Sequence, residues 1–516
     1  MGTVELNQWE LEWTNLKAYA HGDGPHRLQV ALRVLRQSFS AKAAYLSRCL
    51  PAHLAAPIAQ RFHQRLVLPM LDNILGARTT AFVKLHATLP TRFGGLGIGD
   101  SEALVHAAYY SSWNDVLRQV FDGAVPTYLV ARFSDLKAKY NTFRWPEEIL
   151  KSLSAAKEGV QAQIEALAGY QSENRAAALK VIKAVSAKCL PAVRDLGTVD
   201  RKLQERIQQH VLAPLAKAEA EDQLFDDRAM ETLGYAPEEI DLVRAKWTEL
   251  RAPGAQDWLK ALPVHPDLEL PNELLRTTLA HHLLVPRKTF LRVVGVPELL
   301  HTGCLCGLSD DKPLTEQHMA GCAHGGHRTE RHDRVVRLVG SLAKHAGCSR
   351  VVIEPRGLRN YGQQRPDLMY KDNNLAGKKK TVVVDVAVAS TLPSGANHLR
   401  KALEDPLYKA KLTMQRKVKE NGKRMSSTQR FVPMVLQSTG GYCSNVSNFC
   451  RHPGLRTLEL PSALRERLAS PLDTMSSFLK LQLVMRVVKG TACNMVRLME
   501  RLCREYGEPE DHGGDD

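Results

Sequence analysis

The sequence lacks the features that mark secreted and membrane proteins. Its first residues contain no basic segment followed by an apolar core, so no secretory signal peptide is visible. No uninterrupted apolar run approaches the roughly 20 residues that a membrane-spanning helix needs. The ten cysteines show no spacing typical of a disulfide framework. We therefore expect a soluble, intracellular protein without a membrane partner, in which clustered cysteines bind metal rather than pair as disulfides.

Aromatic residues are scarce, at 6% of 516 residues, although 44% of the chain is hydrophobic. That balance, with many Ala and Leu, predicts a folded and mostly helical chain of roughly two to four domains. Amphipathic helical patterns occupy residues 26–86 and 135–250, and helical patterns return at 455–502. Residues 253–271 are rich in proline, which favours a linker.

Acidic residues are fewer than basic ones, with 55 Asp and Glu against 70 Lys and Arg and a net charge of +15. Nearly all of the excess lies in residues 328–430, which contain 23 Lys and Arg against 9 Asp and Glu. Such a segment indicates a polyanionic partner, and contact with phosphates would make binding depend strongly on salt. The alternative interpretation of the same charges is a solvated surface.

Four soft metal ligands lie within 19 residues, in the pattern Cys-x-Cys-x11-His-x3-Cys. They are Cys304, Cys306, His318 and Cys322. This set suits one tetrahedral structural zinc ion, and so short a segment could hardly build a core without one. The spacing of the first two cysteines is tighter than usual, so we also consider three substitute ligands, His324, His327 and His332. The alternative is a polar surface loop with ordinary thiols.

Two β-rich segments each carry one acidic residue. Asp367 opens the first, and Asp385 is the only charge in the run 381–389, whose β-branched residues and alanines are typical of a buried central strand. Glu354 closes an earlier apolar run. An acid on a buried strand must be paired or hold a cation, because an isolated buried carboxylate is too costly. Three such acids favour a magnesium- or manganese-dependent phosphodiesterase, and strand-end or turn positions are the alternative.

The predicted order of elements resembles the core of restriction-endonuclease-like nucleases. It runs helix 331–345, strands 350–355, 366–370 and 381–389, helix 399–420 and strand 430–437. The residue two beyond Asp385 is Ala387, so a lysine is absent from that position. Lys409 and Lys411 on the following helix are the predicted lysines of the site.

Several further motifs, in the same order along the chain, resemble the C-terminal part of non-LTR retrotransposon proteins that carry a restriction-like endonuclease. Such proteins have a reverse transcriptase, a helical thumb and linker, a Cys-Cys-His-Cys knuckle and then the nuclease. Residues 120–280 contribute little to the resemblance. The matching segments are Leu46–Pro51, Leu89–Gly97, Ala107–Tyr109, the cysteine cluster with Gly325–Gly326, Arg331–Asp333, Glu354–Pro355, Arg365–Asp367, Asp385–Val388, Phe431–Pro433 and Gly440–Gly441.

The resemblance implies target-primed reverse transcription, in which the nuclease nicks chromosomal DNA and the freed 3′-hydroxyl primes copying of element RNA. Target DNA and element RNA would be the partners, and the nucleus the place of action. Asp367 and Asp385 would hold the catalytic metal, and Glu354 would assist. Lys409 or Lys411 would orient the attacking water or stabilise charge on the phosphate.

Further basic residues would contact nucleic acid under the same resemblance. His332 and Arg331 would meet the phosphate or the water at the metal, although His332 also suits a polar residue at a helix start. The predicted nucleic-acid contacts are Arg331, Arg365, Lys378, Lys379 and Lys380. The three consecutive lysines are equally compatible with a solvated hairpin.

Some features depart from that family. No Tyr/Phe-x-Asp-Asp polymerase motif occurs, so we expect no polymerase activity from this chain alone. Gln437 stands where family members often have a glutamate, and 17 residues separate Asp367 from Asp385, a longer spacing than usual. Three function classes follow: an active DNA endonuclease, an inactive or domesticated nucleic-acid-binding remnant, and a helical scaffold.

We therefore expect an α+β chain with a mostly helical N-terminal half, a small zinc knuckle, an α/β nuclease region and a helical tail. Its oligomeric state and target sequence do not follow from these patterns. The expected parts are a thumb-like region at 1–115, a helical linker region at 116–300, the knuckle at 301–327, the restriction-endonuclease-like domain at 328–450, and a helical tail with an acidic, disordered end at 451–516.

Overall fold

A computed structural model of the chain describes residues 2–121, 147–172, 175–192, 196, 202–297, 299, 304, 306, 315–322, 327–355, 365–374, 381–390, 396–459 and 474–506. Within these ranges most residues are helical and four strands form one mixed sheet, so the chain is α+β in class, as expected. No helix in the same ranges is both long and apolar enough to cross a membrane.

The N-terminal half is helical, as its amphipathic patterns predict. π-helical turns at residues 35–39, 63–67 and 208–212 extend or join neighbouring helices. The helices are α1 Gly2–His21, α2 Arg27–Val34, α3 Lys42–Cys49, α4 Ala52–Phe62, α5 Leu68–Leu75, α6 Ala81–Thr88, α7 Ser101–Phe121, α8 Glu147–Gln171, α9 Arg175–Cys189, α10 Leu203–Ile207, α11 Ala213–Phe225, α12 Asp227–Thr232, α13 Pro237–Glu249, α14 Asn272–His282 and α15 Arg287–Val293.

The C-terminal half combines helices with the sheet. Strand β3 coincides with the predicted strand 381–389, and the other three predicted strands are present within a few residues of their expected bounds. The elements are α16 Glu316–Gly321, α17 His327–His345, β1 Ser349–Ile353, β2 Leu368–Lys371, β3 Thr381–Ala389, α18 Ala396–Glu404, α19 Tyr408–Asn421, β4 Gln429–Gln437, α20 Ser444–Cys450, α21 Pro453–Arg456 and α22 Met475–Tyr506.

The sheet has the strand order β1-β2-β3-β4. The first two pairs are antiparallel, and β3 and β4 are parallel and in register over nine residues each. A parallel pair needs a crossover connection, which α18 and α19 supply. Helix α17 packs against β1 and β3, whereas α19 packs against β3 and β4. The middle of β3 is therefore covered by helices, which explains its run of apolar residues.

The predicted helix 399–420 is two helices. Helix α18 ends at Glu404 and α19 begins at Tyr408. Pro406 lies between them and disfavours a helical conformation for the residue before it. The Asp405 side chain then accepts a hydrogen bond from the backbone N–H of Leu407 at 2.9 Å, at the start of α19. This break sets which face of α19 meets the sheet.

One main core joins regions that the sequence divides into separate domains. Its buried residues come from the N-terminal helices, from residues 220–299, from the sheet and from α22. The proline-rich segment 253–271 is part of it, since Trp258, Leu268 and Leu270 are buried there. This segment is packed and is not a free linker. A second cluster lies among helices α7 to α10.

Helix α22 is a central element of the fold rather than a peripheral tail. It packs against α14, α16 and α17, and residues along its length, from Leu479 to Leu502, are buried in the main core. The helical prediction for 455–502 holds over the described part of that range, at 453–456 and from 475 onward. The predicted acidic end, at residues 507–516, lies outside the described residues.

Candidate functional site

Neighbouring strands place two predicted acids opposite one another. The antiparallel register pairs Leu368 with Val384, so the next pair brings Asp367 opposite Asp385. The Val386 backbone N–H donates to Asp367 Oδ2 at 2.6 Å and fixes that carboxylate at the strand end. Both side chains are largely buried, at 17% exposed for Asp367 and 13% for Asp385. The structure thus brings together the two acids on which the predicted site depends.

The two carboxylates differ in how readily they ionise. Burial and the adjacent Asp367 raise the pKa of Asp385 to about 6, although Lys417 acts to lower it. Burial also acts to raise the pKa of Asp367, but the hydrogen bond and charge of His332 outweigh it, so this pKa is lowered. The pair therefore presents one firmly ionised carboxylate and one that exchanges its proton near neutral pH.

His332 lies in the site, as predicted. Its Nε2 is 3.2 Å from Asp367 Oδ2 and 3.2 Å from the Val386 carbonyl oxygen, and its Nδ1 is 3.1 Å from Asp333 Oδ1. Burial lowers the pKa of His332, but these acceptors outweigh it and raise the pKa to about 9. With an acceptor at each ring nitrogen, the imidazole is a cation at neutral pH.

The lysine at the acids is Lys417, which the sequence reasoning did not select. Its Nζ donates to Asp385 Oδ1 at 2.5 Å, and Asn421 Nδ2 donates to the other oxygen at 3.1 Å. Residues 417 and 421 are one helical turn apart on α19, so both can donate to the Asp385 carboxylate from the same face of the helix. Lys411 is engaged elsewhere, donating to Asp405 Oδ2 at 2.6 Å. The structure does not bring Lys411 to the acids.

Glu354 lies beside the pair, but its side chain does not enter the site. It follows β1, and its backbone N–H donates to the Asp367 carbonyl oxygen at 2.9 Å. Its φ of 48° takes the chain out of strand geometry, and its side chain is exposed. Among the described residues that line the cleft at the acids, Glu354 does not occur.

These residues open into a polar cleft of about 670 Å³. Basic side chains form much of its wall, among them the predicted Arg365 and Lys409 together with Arg328 and Arg416. Arg365 is exposed, as a residue that contacts nucleic acid must be. The predicted contacts Lys378, Lys379 and Lys380 lie outside the described residues.

Arg331, a predicted nucleic-acid contact, is a buried structural residue. Although it forms part of the cleft wall, only 2% of it is exposed. Its guanidinium donates to the Ala320 carbonyl oxygen and to Thr491 Oγ1, both at 2.9 Å. Burial and the charge of Arg328 together lower its pKa to about 10. Arg331 therefore joins α16 to α22 and has little surface left for a nucleic acid.

The four predicted soft ligands converge beside α16. All their donor atoms lie within 4.8 Å of one another, a geometry that could hold a metal ion. Cys304 Sγ is 3.6 Å from Cys322 Sγ, and Cys306 Sγ is 3.4 Å from His318 Nε2. Of the substitute ligands, His332 is at the acids, His327 is near Glu330, and His324 lies outside the described residues.

A buried ion pair fixes the short helix α16 to the N-terminal half. Lys246 on α13 is fully buried, and its Nζ donates to Glu316 Oε1 at 2.7 Å. His281 on α14 contacts both charged groups. Elsewhere on α16, Asn494 of α22 donates to the Met319 carbonyl oxygen at 2.9 Å. No sequence pattern predicts this junction, because its members are far apart along the chain.

A second cluster of ligand-type residues, Cys348, Asp372 and His452, has a different role. His452 Nδ1 accepts a hydrogen bond from the Gly454 N–H at 3.2 Å, so the ring proton belongs on Nε2. That nitrogen donates to Asp372 Oδ2 at 2.9 Å. Both imidazole nitrogens are then occupied, which leaves no lone pair for a metal. The cluster ties the end of β2 to the start of α21.

No protein-family model matches the sequence, and no curated protein matches it either. Any functional conclusion therefore depends on the geometry of the cleft and of the cysteine cluster.

Proposed function

We propose that this protein is a divalent-metal-dependent DNA endonuclease of the restriction-endonuclease-like kind. The observation that carries the proposal is the pairing of Asp367 with Asp385 across two strands, with Lys417 on the second acid. In the reaction, a water oxygen bonds to phosphorus while the P–O3′ bond breaks. The products are a 3′-hydroxyl and a 5′-phosphate.

The two carboxylates suit magnesium or manganese. Two largely buried acids side by side repel each other, and this repulsion contributes to the raised pKa of Asp385. A hard cation between them relieves that repulsion, since Mg²⁺ prefers carboxylate and water oxygens. Bound there, the ion would lower the pKa of a water and neutralise charge on the phosphate.

The remaining residues of the site have roles that follow from their charges. Lys417 places an ammonium beside Asp385, where it can donate to the attacking water or to a phosphate oxygen. The His332 imidazolium holds Asp367 in its ionised form and adds positive charge at the cleft wall. Arg365 and Arg328 would contact the flanking backbone of the nucleic acid.

For the cysteine cluster we propose structural zinc. Zinc–ligand bonds of about 2.0 to 2.3 Å in a tetrahedron separate the ligand atoms by about 3.3 to 3.8 Å. The Cys304–Cys322 and Cys306–His318 separations, 3.6 and 3.4 Å, lie in that range. Burial and the neighbouring thiols raise the pKa of Cys304 to about 12, so a cation is needed to stabilise its thiolate.

Nicking of supercoiled plasmid with Mg²⁺ tests the nuclease. We expect Asp367→Asn and Asp385→Asn each to reduce nicking by several orders of magnitude, because each removes a metal ligand without changing side-chain size. Glu404→Gln removes an exposed acid on α18 and is the matched control, which should nick normally. Wild-type protein that binds plasmid but never nicks it would refute the nuclease.

One observation favours a second candidate, a nucleic-acid-binding protein without turnover. Lys417, Asn421 and His332 already satisfy both carboxylates without a metal. If these contacts exclude the ion, the basic cleft would still hold nucleic acid. Salt-sensitive binding without nicks, unchanged in Asp385→Asn, would support this candidate.

The wider role that we propose is nicking of target DNA for reverse transcription of a non-LTR retrotransposon, with element RNA as a second partner. Action on chromosomal DNA requires access to the nucleus. The support for this role is the resemblance of the motifs together with the two-acid cleft and the cysteine cluster in the expected order.

A further inference from the structure

Lys409 and Arg416 lie on the same side of α19 and form part of the cleft wall. They are seven residues apart, which is two helical turns, and Thr413 lies between them in the same wall. The residues of α19 that line the cleft are Lys409, Thr413, Arg416, Lys417, Glu420 and Asn421. The helix therefore presents a row of basic side chains to the cleft in addition to the lysine at the acids.

Among the residues that the structure describes, Lys409 and Arg416 lack the close acidic partner that Lys411 and Lys417 each have. Lys411 is bound to Asp405 and Lys417 to Asp385, each through a short contact. In the part of the chain that the structure describes, Lys409 has no acidic partner within ion-pair distance. Arg416 has one long contact, with its Nε 3.8 Å from Glu420 Oε1. The charge of this pair is therefore poorly compensated.

Burial and the charge of Arg416 both disfavour the charged form of Lys409. Lys409 is half-buried, and this burial lowers its pKa. The nearby positive charge of Arg416 lowers the pKa further. Lys409 is half-buried whereas Arg416 is exposed, and two like charges placed close together are unfavourable unless an anion is shared between them. An anion with several oxygens could bind both cations and also accept a hydrogen bond from the Thr413 hydroxyl.

We propose that Lys409 and Arg416 form a binding site for a non-scissile phosphate of the DNA backbone. This inference rests on the proposed function, since it takes Asp385 and Lys417 to mark the scissile position. Lys409 is eight residues from Lys417, or about 12 Å along the helix. The phosphate held between Lys409 and Arg416 would therefore flank the scissile phosphate.

Binding of a fluorescein-labelled DNA duplex to the full chain, without divalent metal and over a series of salt concentrations, tests this site. We expect Lys409→Ala to weaken binding about tenfold and to reduce the salt slope by about 0.9, the loss of one phosphate contact. Arg416→Ala should act similarly, and the double variant should lose less than the product, because both cations hold one phosphate. Lys409→Arg should restore most of the affinity.

Lys411→Ala is the matched control, because it removes the same charge from the same helix at a residue that is bound to Asp405. Equal losses in Lys409→Ala and Lys411→Ala would overturn the site, since only net charge would then matter. Unchanged binding in Lys409→Ala, with an unchanged thermal midpoint, would overturn it as well.

Failure of this site and failure of the nuclease are distinguishable. If Asp385→Asn abolishes nicking while Lys409→Ala binds DNA like wild type, the nuclease is supported and the phosphate site is refuted. If wild-type protein never nicks but Lys409→Ala weakens DNA binding and reduces the salt slope, the phosphate site is supported and the nuclease is refuted.

Discussion

Lys417 is the one lysine in the described ranges whose ammonium contacts a carboxylate of the cleft. We expect Lys417→Ala to reduce the rate of plasmid nicking by about 10²-fold or more, because it removes a preorganised cation from the reacting phosphate. Lys411→Ala should leave the rate unchanged, since Lys411 is bound to Asp405. The measurement is the initial nicking rate at saturating protein. A larger loss in Lys411→Ala would contradict the assignment.

We expect the decline of the nicking rate at low pH, the acid limb of the pH–rate profile, to follow the protonation of Asp385. Its folded pKa of about 6 lies above the ordinary value of an aspartate, so a proton is gained as pH falls through 6. Protonated Asp385 loses its attraction for a metal ion, so nicking should decline below about pH 6. The contribution of Asp385 to folding stability has the opposite sign: it is most favourable below the unfolded pKa of the aspartate and is lost as pH rises through about 6.

Lys417 should shift that acid limb. Its charge lowers the pKa of Asp385, so Lys417→Met should move the midpoint of the acid limb to higher pH. Lys411→Met is the control and should leave the midpoint where it is. A limb that does not move in Lys417→Met would show that another group controls the decline.

The sequence was sufficient to find both acids but not the lysine. Asp385 is identified by being the only charge in an apolar strand, and Asp367 by its place at the start of the neighbouring strand. The lysine depends on which face of α19 meets the sheet. Pro406 restarts the helix at Tyr408, and no local pattern reveals the rotation that results. The burial of Arg331 has a related cause, because it arises only when α22 packs over this residue.

The crossing of α17 and α22 depends on a glycine. A Cβ at Gly490 would lie 2.6 Å from Cγ of Arg331, whose guanidinium is already fixed by two hydrogen bonds. We expect Gly490→Ala to destabilise the protein by about 1 to 3 kcal/mol through overpacking. Thermal and urea denaturation measure the change.

Gly169→Ala is the matched control for Gly490→Ala. Gly169 lies in the exposed surface of α8, and an added Cβ would have nothing within 4 Å. Because alanine is the better helix former, this variant should stabilise the protein by up to about 1 kcal/mol. Equal effects of the two substitutions would show that the crossing has room for a side chain.

The sequence predicts which segments form helices and strands more reliably than it predicts how those helices and strands pack together. Strand β3 has the predicted bounds because an apolar run of β-branched residues fits a strand covered on both faces. The end of β1 differs, because Glu354 adopts a positive φ that no pattern of residue types announces. The proline-rich segment 253–271 resembles a linker in composition, yet Trp258 and Leu268 bury it in the main core. Such burial depends on partners distant in sequence.

The main core extends through both halves of the chain. It contains Trp9 and Trp247 from the N-terminal half as well as Val384 of the sheet and Leu502 of α22. Helix α16 and the cysteine cluster lie at the junction, where Lys246 of α13 and Asn494 of α22 both bind α16. A metal bound by the cluster would therefore stabilise the junction of the two halves and not merely a local loop.

We expect this shared core to make unfolding cooperative and dependent on the metal. Tryptophan fluorescence and far-ultraviolet circular dichroism should give coincident transitions, because buried tryptophans and the sheet belong to one cluster. Cys322→Ser should lower the midpoint of that single transition, since lost metal affinity is lost folding free energy. Cys49→Ser, at an exposed cysteine, is the control and should leave the midpoint unchanged. Separate transitions, with only one of them sensitive to Cys322→Ser, would show that the two halves fold independently.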